Sequence, residues 1–257
     1  MKIAVFVYGM YREFDVAVKS WDFLFKMDCD FYFSTWSKST ILHYPTNTFI
    51  EKPVTIEMIT NHIPNAKVEL LDEDQYMIDN NNVENDNINK LVNSDKMIHH
   101  WKNCLKMCKN SGIKYDQIML IRPDDYFLLK FPYENLKKFN RDNILYGKGN
   151  GIQINHDLTH TVNDVFFIGS ESTISRFIET IPNKLNKVFG NGIHNELSES
   201  ILLNKFFYVG IINFVSYIIR PNIIELNGVE LNEENLHLKL YEWAQKKESI
   251  SFLNNIK

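Results

Sequence analysis

Lys2–Tyr8 (KIAVFVY) is a short β-branched and aromatic run ended by Gly9, the pattern of a central parallel strand buried on both faces. From Arg12, the spacing of Phe14, Val18, Trp21, Leu24 and Phe25 follows the helical period, and Cys29–Phe33 (CDFYF) returns to a strand pattern. Val54–His62 reads as a helix closed by Pro64, and Ala66–Leu71 (AKVELL) as a third strand. Asp72–Asp95 is rich in Asn and Asp and poor in periodic apolar residues, which predicts a long, mobile loop. Ser94 is placed to cap a helix carrying Met97, Ile98, Trp101, Leu105 and Cys108, ending near Gly112. The chain then enters Tyr115–Ile121 (YDQIMLI), the best candidate for a buried central strand.

The second half is less regular. Val162–Ile168 predicts a strand closed by Gly169, with Ser170 starting a helix through Phe177 and Ile178. Asn195–Tyr208 predicts a helix with Leu197, Ile201, Leu202 and Phe206 on one face. Gly210 is expected to break it before the apolar strand Ile211–Ile219, and an amphipathic helix is expected over about Asn232 to Lys247. Strands that alternate with helices and then give way to mixed segments describe an α/β sandwich around a mostly parallel sheet, with ligands expected at the carboxyl ends of its strands. Its length suits one domain over residues 1–257, with a nucleotide-binding half to about residue 130 and the rest expected to serve an acceptor.

Composition narrows the classes. At 257 residues with 44% hydrophobic and 13% aromatic content, the chain can bury a substantial core. The net charge of −4, with only five Arg among 28 cationic residues, argues against a nucleic-acid partner. Three scattered cysteines, with neither a signal peptide nor a long apolar run, suggest a reducing cytoplasm and no membrane span. Gly-x-Gly-x-x-Gly, Walker, Gly-x-Ser-x-Gly and His-Glu-x-x-His patterns are missing, which disfavours dehydrogenases, P-loop kinases, α/β-hydrolases and zincins.

Chemistry concentrates after the apolar strands. Arg122-Pro123-Asp124-Asp125-Tyr126 directly follows the most apolar strand, at the expected ligand edge. Two readings are open there: adjacent carboxylates stabilised by a hard cation that bridges a nucleotide diphosphate, or a proline-set turn in which Asp124 bonds its own backbone. After the first strand, Tyr8-Gly9-Met10-Tyr11-Arg12 offers a close backbone turn and a forked phosphate donor, or an ordinary strand-to-helix turn. Asp164 is a candidate base or acceptor contact as well as a candidate Asx-turn residue. Glu199 starts a helix, where an acid also complements the macrodipole. His99-His100 reads as one buried and one solvated histidine, Cys104 and Cys108 as small core residues, and most of the tryptophans as packing groups.

Taken in order, these segments resemble a group of glycosyltransferases of bacteria and large DNA viruses with a GT-A type of fold. The residues that carry the resemblance are Gly9, Arg12, Trp21, Thr35-Trp36, Arg122-Pro123-Asp124, Asn163-Asp164, Phe166-Phe167, Gly169, Glu199, Leu202, Gly210 and Ile211, spread over roughly residues 2 to 220. The resemblance implies a GT-A-like, Rossmann-related α/β/α sandwich. It also implies a nucleotide-diphosphate sugar as donor, manganese or magnesium as cofactor, and a glycan or other hydroxyl acceptor, in a cytoplasm that is the host's if the source is viral. Asp124 matches the acid that binds metal and diphosphate, with Asp125 as helper. Tyr8, Gly9, Arg12 and Arg122 fall in nucleotide-binding positions, and Asp164 and Glu199 in catalytic ones. Where the group shows Asp-x-Asp, this chain has adjacent acids, so a second metal ligand is sought at Asp164, His194 or His237. A nucleotidyltransferase, or a non-catalytic nucleotide- or carbohydrate-binding module, is the alternative.

Overall fold

The structure is a computed structural model, and it describes residues 1–43, 48–80, 88–127, 133–148, 153–154, 160–161, 166–181, 208–212 and 216–218. In chain order the elements are β1 (Ile3–Tyr8), α1 (Phe14–Ala17), a 3-10 turn (Val18–Ser20), α2 (Asp22–Phe25), β2 (Cys29–Trp36), β3 (Lys38–His43), β4 (Thr48–Pro53), α3 (Ile56–Thr60), β5 (Lys67–Leu71) and α4 (Glu73–Asn80). They continue with α5 (Ile88–Asn110), β6 (Gln117–Ile121), β7 (Asp125–Phe127), a 3-10 turn (Tyr133–Phe139), β8 (Ile144–Lys148), β9 (Gln153–Ile154), β10 (His160–Thr161), β11 (Phe166–Ser170), α6 (Glu171–Thr180), β12 (Tyr208–Ile212) and β13 (Ser216–Ile218).

Among the described residues, seven strands form the main sheet in the order β12-β8-β11-β6-β1-β2-β5. β5, β2, β1 and β6 run parallel, and β11 alone is antiparallel to both of its neighbours. The architecture is therefore an α/β/α sandwich with a mostly parallel central sheet, as the alternation of strands and helices predicts.

Alternation along β1 divides the core into two layers. Ile3, Val5 and Val7 pack with Phe14, Trp21, Phe31, Phe33, Ile59, Met119, Ile121 and Ile168 on one face. Ala4, Phe6 and Tyr8 pack with Tyr32, Trp101, Cys104, Leu120, Phe167 and Phe177 on the other. Thus α1, α2 and α3 cover the first face, and α5 and α6 cover the second. Both helices of the second layer follow the expected spacing: Ile98, Trp101, Leu105 and Cys108 are buried from α5, and Ile174, Phe177 and Ile178 from α6. The Ser170 side chain caps α6 by accepting from the Thr173 N–H at 3.3 Å, and Gly112, at φ 68°, ends α5 in the left-handed region.

Several expectations are corrected. The helix predicted from Arg12 is broken into α1, a 3-10 turn and α2, because Ser20 and Trp21 turn aside to bond the β6–β7 segment: Ser20 Oγ accepts from the Phe127 N–H at 2.9 Å, and Trp21 Nε1 donates to the Asp125 carbonyl at 2.8 Å. The polar stretch predicted as a loop contains α4 and the first turns of α5, so Ser94 lies inside a helix and not at its start. There, capping replaces apolar periodicity. Asp72 Oδ1 accepts from the Asp74 and Gln75 N–H groups at 2.9 and 3.1 Å, Gln75 bonds Asp79 one turn on, and Lys96 pairs with Glu73 at 2.5 Å. Gly210 lies within β12 and does not precede it. The β3–β4 hairpin and β8 carry no strong local signal and were not expected. The helices expected over Asn195–Tyr208 and about Asn232 to Lys247 lie outside the described residues. Among the described residues, no helix is long and apolar enough to cross a membrane.

The packing between β8, β11 and α6 can be tested at two glycines. A Cβ on Gly169 would stand 3.2 Å from the Ile144 carbonyl oxygen, whereas one on Gly147 meets nothing nearer than 3.8 Å. Gly169→Ala is expected to cost about 1–3 kcal/mol of unfolding free energy in urea, and Gly147→Ala much less. Equal losses would show that the sheet yields freely at this point.

Candidate functional site

Parallel pairing sets the position of the site. Val7 faces Ile121 and Tyr8 faces Ser34 in register, so the segments that follow β1, β2 and β6 leave the same edge of the sheet side by side. Gly9 makes the turn after β1 at φ 107°, a conformation open to glycine, and its N–H donates to the Ser34 carbonyl at 3.2 Å. The Tyr11 carbonyl accepts a hydrogen bond from Ser39 Oγ, which ties this turn to β3. Arg12 Nε contacts Met10 Sδ at 2.9 Å. Glu13 follows in the left-handed region at φ 42°, a strained conformation for a side-chain-bearing residue. Burial raises the Glu13 carboxyl pKa, the negative charges of Asp15 and Asp124 raise it further, and Lys52 acts in the opposite direction. No sequence motif announces Glu13.

In that segment Arg122 and Asp124 form a two-point ion pair. Arg122 Nε donates to Asp124 Oδ1 at 2.8 Å and Nη2 to Oδ2 at 2.8 Å. The Asp124 carboxylate is wholly buried, and the Arg122 side chain is 25% exposed. Asp124 and Asp125 therefore differ in kind. Asp124 sits in the turn beside its guanidinium, while Asp125 opens β7, which pairs antiparallel with β13. The Asp125 N–H donates to the Arg122 carbonyl at 3.2 Å, and its own carbonyl accepts from Trp21. The turn is present, but Asp124 bonds the Arg122 side chain there and not its own backbone.

A divalent ion at Asp124 does not fit the residues described. Both carboxylate oxygens hold the guanidinium, and an ion placed there would displace it and stand beside its charge. Asp125, expected as the helper, is itself fully buried at the start of a strand. Among the described residues no three His, Cys, Asp or Glu side chains gather as a metal centre. Asp164, Glu199, His194 and His237 lie outside the described residues.

The Tyr8 ring is buried edge-on against Trp101, with ring centroids 5.4 Å apart, so of this residue the backbone lies toward the strand's carboxyl end. Thr35 and Trp36, also at that edge, are buried. Trp36 lies 4.3 Å from the His100 ring, 5.5 Å from Tyr76 and parallel to His99 at 6.2 Å. His100 is 1% exposed, and its Nδ1 bonds Ser34 Oγ at 2.9 Å, which also accepts from Asn103 Nδ2 at 3.1 Å. This polar network holds β2 to α5. His100 is the buried member of the histidine pair and His99 the half-exposed one. Cys104 and Cys108 are small buried groups, as expected.

No protein-family model matches the chain, and no curated protein matches it. Solved structures with a similar chain path include HddC from Yersinia pseudotuberculosis, 14% identical over 96% of this chain and 99% of that one, at a TM-score of 0.43. A nucleoside-diphosphate-sugar pyrophosphorylase from Vibrio cholerae is 13% identical over 82% and 92%, at 0.43. An active-site mutant of LgtC is 9% identical over 93% and 82%, at 0.47. At TM-scores this low the likeness carries no argument, and the architecture rests on the strand order given above.

Burial pushes the His100 pKa down to about 3, with the nearby charges of His99 and Lys96 acting in the same direction. The unfolded chain takes up that proton near pH ~6.5, so below this value the unfolded state binds more protons and stability falls as pH drops. From about pH 7 to about pH 5, urea unfolding of the native chain is expected to lose up to ~1.4 kcal/mol per pH unit through this group. In His100→Asn the slope should be shallower. Equal slopes in the two proteins would remove His100 as the cause.

Proposed function

We propose that the protein is a glycosyltransferase that moves a sugar from a nucleotide-diphosphate sugar to a hydroxyl of a glycan or other acceptor. The observation that carries this reading is the convergence of the Gly9–Glu13 turn and the Arg122–Asp125 segment where β1 and β6 end. A close-approach backbone turn beside a forked cation suits a diphosphate. In the reaction the bond from the sugar's anomeric carbon to the diphosphate oxygen breaks, a new bond forms to the acceptor oxygen, and the acceptor's proton passes to a base. The nucleoside diphosphate leaves with the electron pair. In an inverting transfer Asp164 is the first choice for the base and Glu199 the second, both in the half of the chain assigned to the acceptor. Gly9 and Arg12 are assigned to the donor nucleotide and Arg122 to its phosphates.

A nucleotidyltransferase would use the same sheet edge. It calls for a glycine-rich phosphate loop after the first strand, and here one glycine is followed closely by a left-handed glutamate, which favours sugar transfer. A non-catalytic module would bind a nucleotide diphosphate without turnover. A donor panel separates the three. Release of nucleoside diphosphate from one nucleotide sugar is expected, falling about 100-fold or more in Asp124→Ala. Pyrophosphate release from a nucleoside triphosphate and a sugar phosphate would establish the alternative chemistry. Full activity in both Asp124→Ala and Asp125→Ala would refute the site.

A further inference from the structure

We propose that Arg122 is the cation that holds the donor's diphosphate and that Asp124 is its positioning residue, so that diphosphate binding does not require a divalent ion. The inference rests on the glycosyltransferase reading and changes the part played by its acid pair. An isolated arginine at the end of a strand samples many rotamers. Here the 2.8 Å contacts from Nε and Nη2 to the two Asp124 oxygens define the plane of the guanidinium.

The partner carboxylate sits in a turn that is itself tied down. Asp124 is wholly buried in a turn that is closed by the Asp125 N–H bond to the Arg122 carbonyl, and the turn is fastened from outside by Trp21 Nε1 on the Asp125 carbonyl and by Ser20 Oγ on the Phe127 N–H. Arg122 is the partly exposed member of the pair, with 25% of its side chain exposed, and it follows the end of β6 in the segment that leaves the sheet beside the positive-φ turn of Gly9. A phosphate approaching this edge meets the arginine first, while the aspartate faces the protein. That order is the reverse of a metal-ligating acid, whose oxygens must face the incoming ion. Both acids of the pair are buried, so the pattern that suggests a metal motif in the sequence supports a cation built into the chain.

The test compares binding of UDP and GDP with that of UMP and GMP, by thermal shift and calorimetry, in buffer with EDTA and in buffer with manganese. The wild-type protein is expected to bind one of the two diphosphates within about threefold of the same affinity in both buffers, because the compensating charge is a side chain. Arg122→Gln is expected to weaken the diphosphate by about 10- to 100-fold and the monophosphate less. Asp124→Asn keeps the shape of the turn and should show the same diphosphate-selective loss, with Arg122→Gln/Asp124→Asn no worse than Arg122→Gln alone. A role confined to folding would instead weaken both nucleotides equally. Loss of wild-type diphosphate binding in EDTA with recovery in manganese would overturn the inference, and so would near-native diphosphate affinity in Arg122→Gln; either leaves the glycosyltransferase reading standing. If no nucleoside diphosphate of the donor panel binds the wild-type protein in either buffer, the glycosyltransferase reading fails, and this inference with it. The wild-type comparison needs no variant, so a substitution that fails to fold does not remove the test.

Discussion

A parallel strand covered on both faces has no room for a charged side chain until it ends. That constraint governs this protein. Every residue of β1 and of β6 is buried, with alternate side chains assigned to opposite layers of the core. Charged side chains are therefore confined to the segments at the strand ends, and parallel pairing brings the segments that follow β1 and β6 to one edge. The location of the candidate site follows from burial before any particular catalytic residue is considered.

At that edge the chain uses backbone conformation and one ion pair. Gly9 turns the first segment through a region open to glycine, and Glu13 occupies the left-handed region at a cost that the surrounding packing must offset. The second segment keeps a carboxylate wholly inside the protein, which is tolerable because Arg122 meets both of its oxygens. Trp21 joins the two. Its indole fills the core layer beneath β1 and its Nε1 closes on the turn after β6, so the break in the helix predicted from Arg12 follows from the geometry of the site.

The apolar elements were legible in the sequence. The runs at Lys2–Tyr8 and Tyr115–Ile121, the α5 face from Ile98 to Cys108 and the Ser170 cap of α6 appear where their patterns place them, because burial dictates both residue type and period. The polar elements were not. The sequence of helix α4 and the first turns of α5 has the pattern of a loop, because capping by Asp72 and pairing between side chains leave no periodic apolar trace. Strand β8 was passed over because its short sequence, ILYGK, is a strand only through its neighbours β11 and β12.

For the candidate site, sequence order alone determined that Gly9, Arg12, Arg122, Asp124 and Asp125 follow the most apolar strands and so belong near the ligand edge of an α/β sheet. Tertiary structure decided how each is used. It turned the Tyr8 ring into the core against Trp101, separated two adjacent aspartates into a turn and a strand, gave both Asp124 oxygens to Arg122, and placed Glu13 in the left-handed region. The physical reason is that apolar periodicity is written locally, residue by residue, whereas the partner of a charge is whatever the fold brings within hydrogen-bond reach.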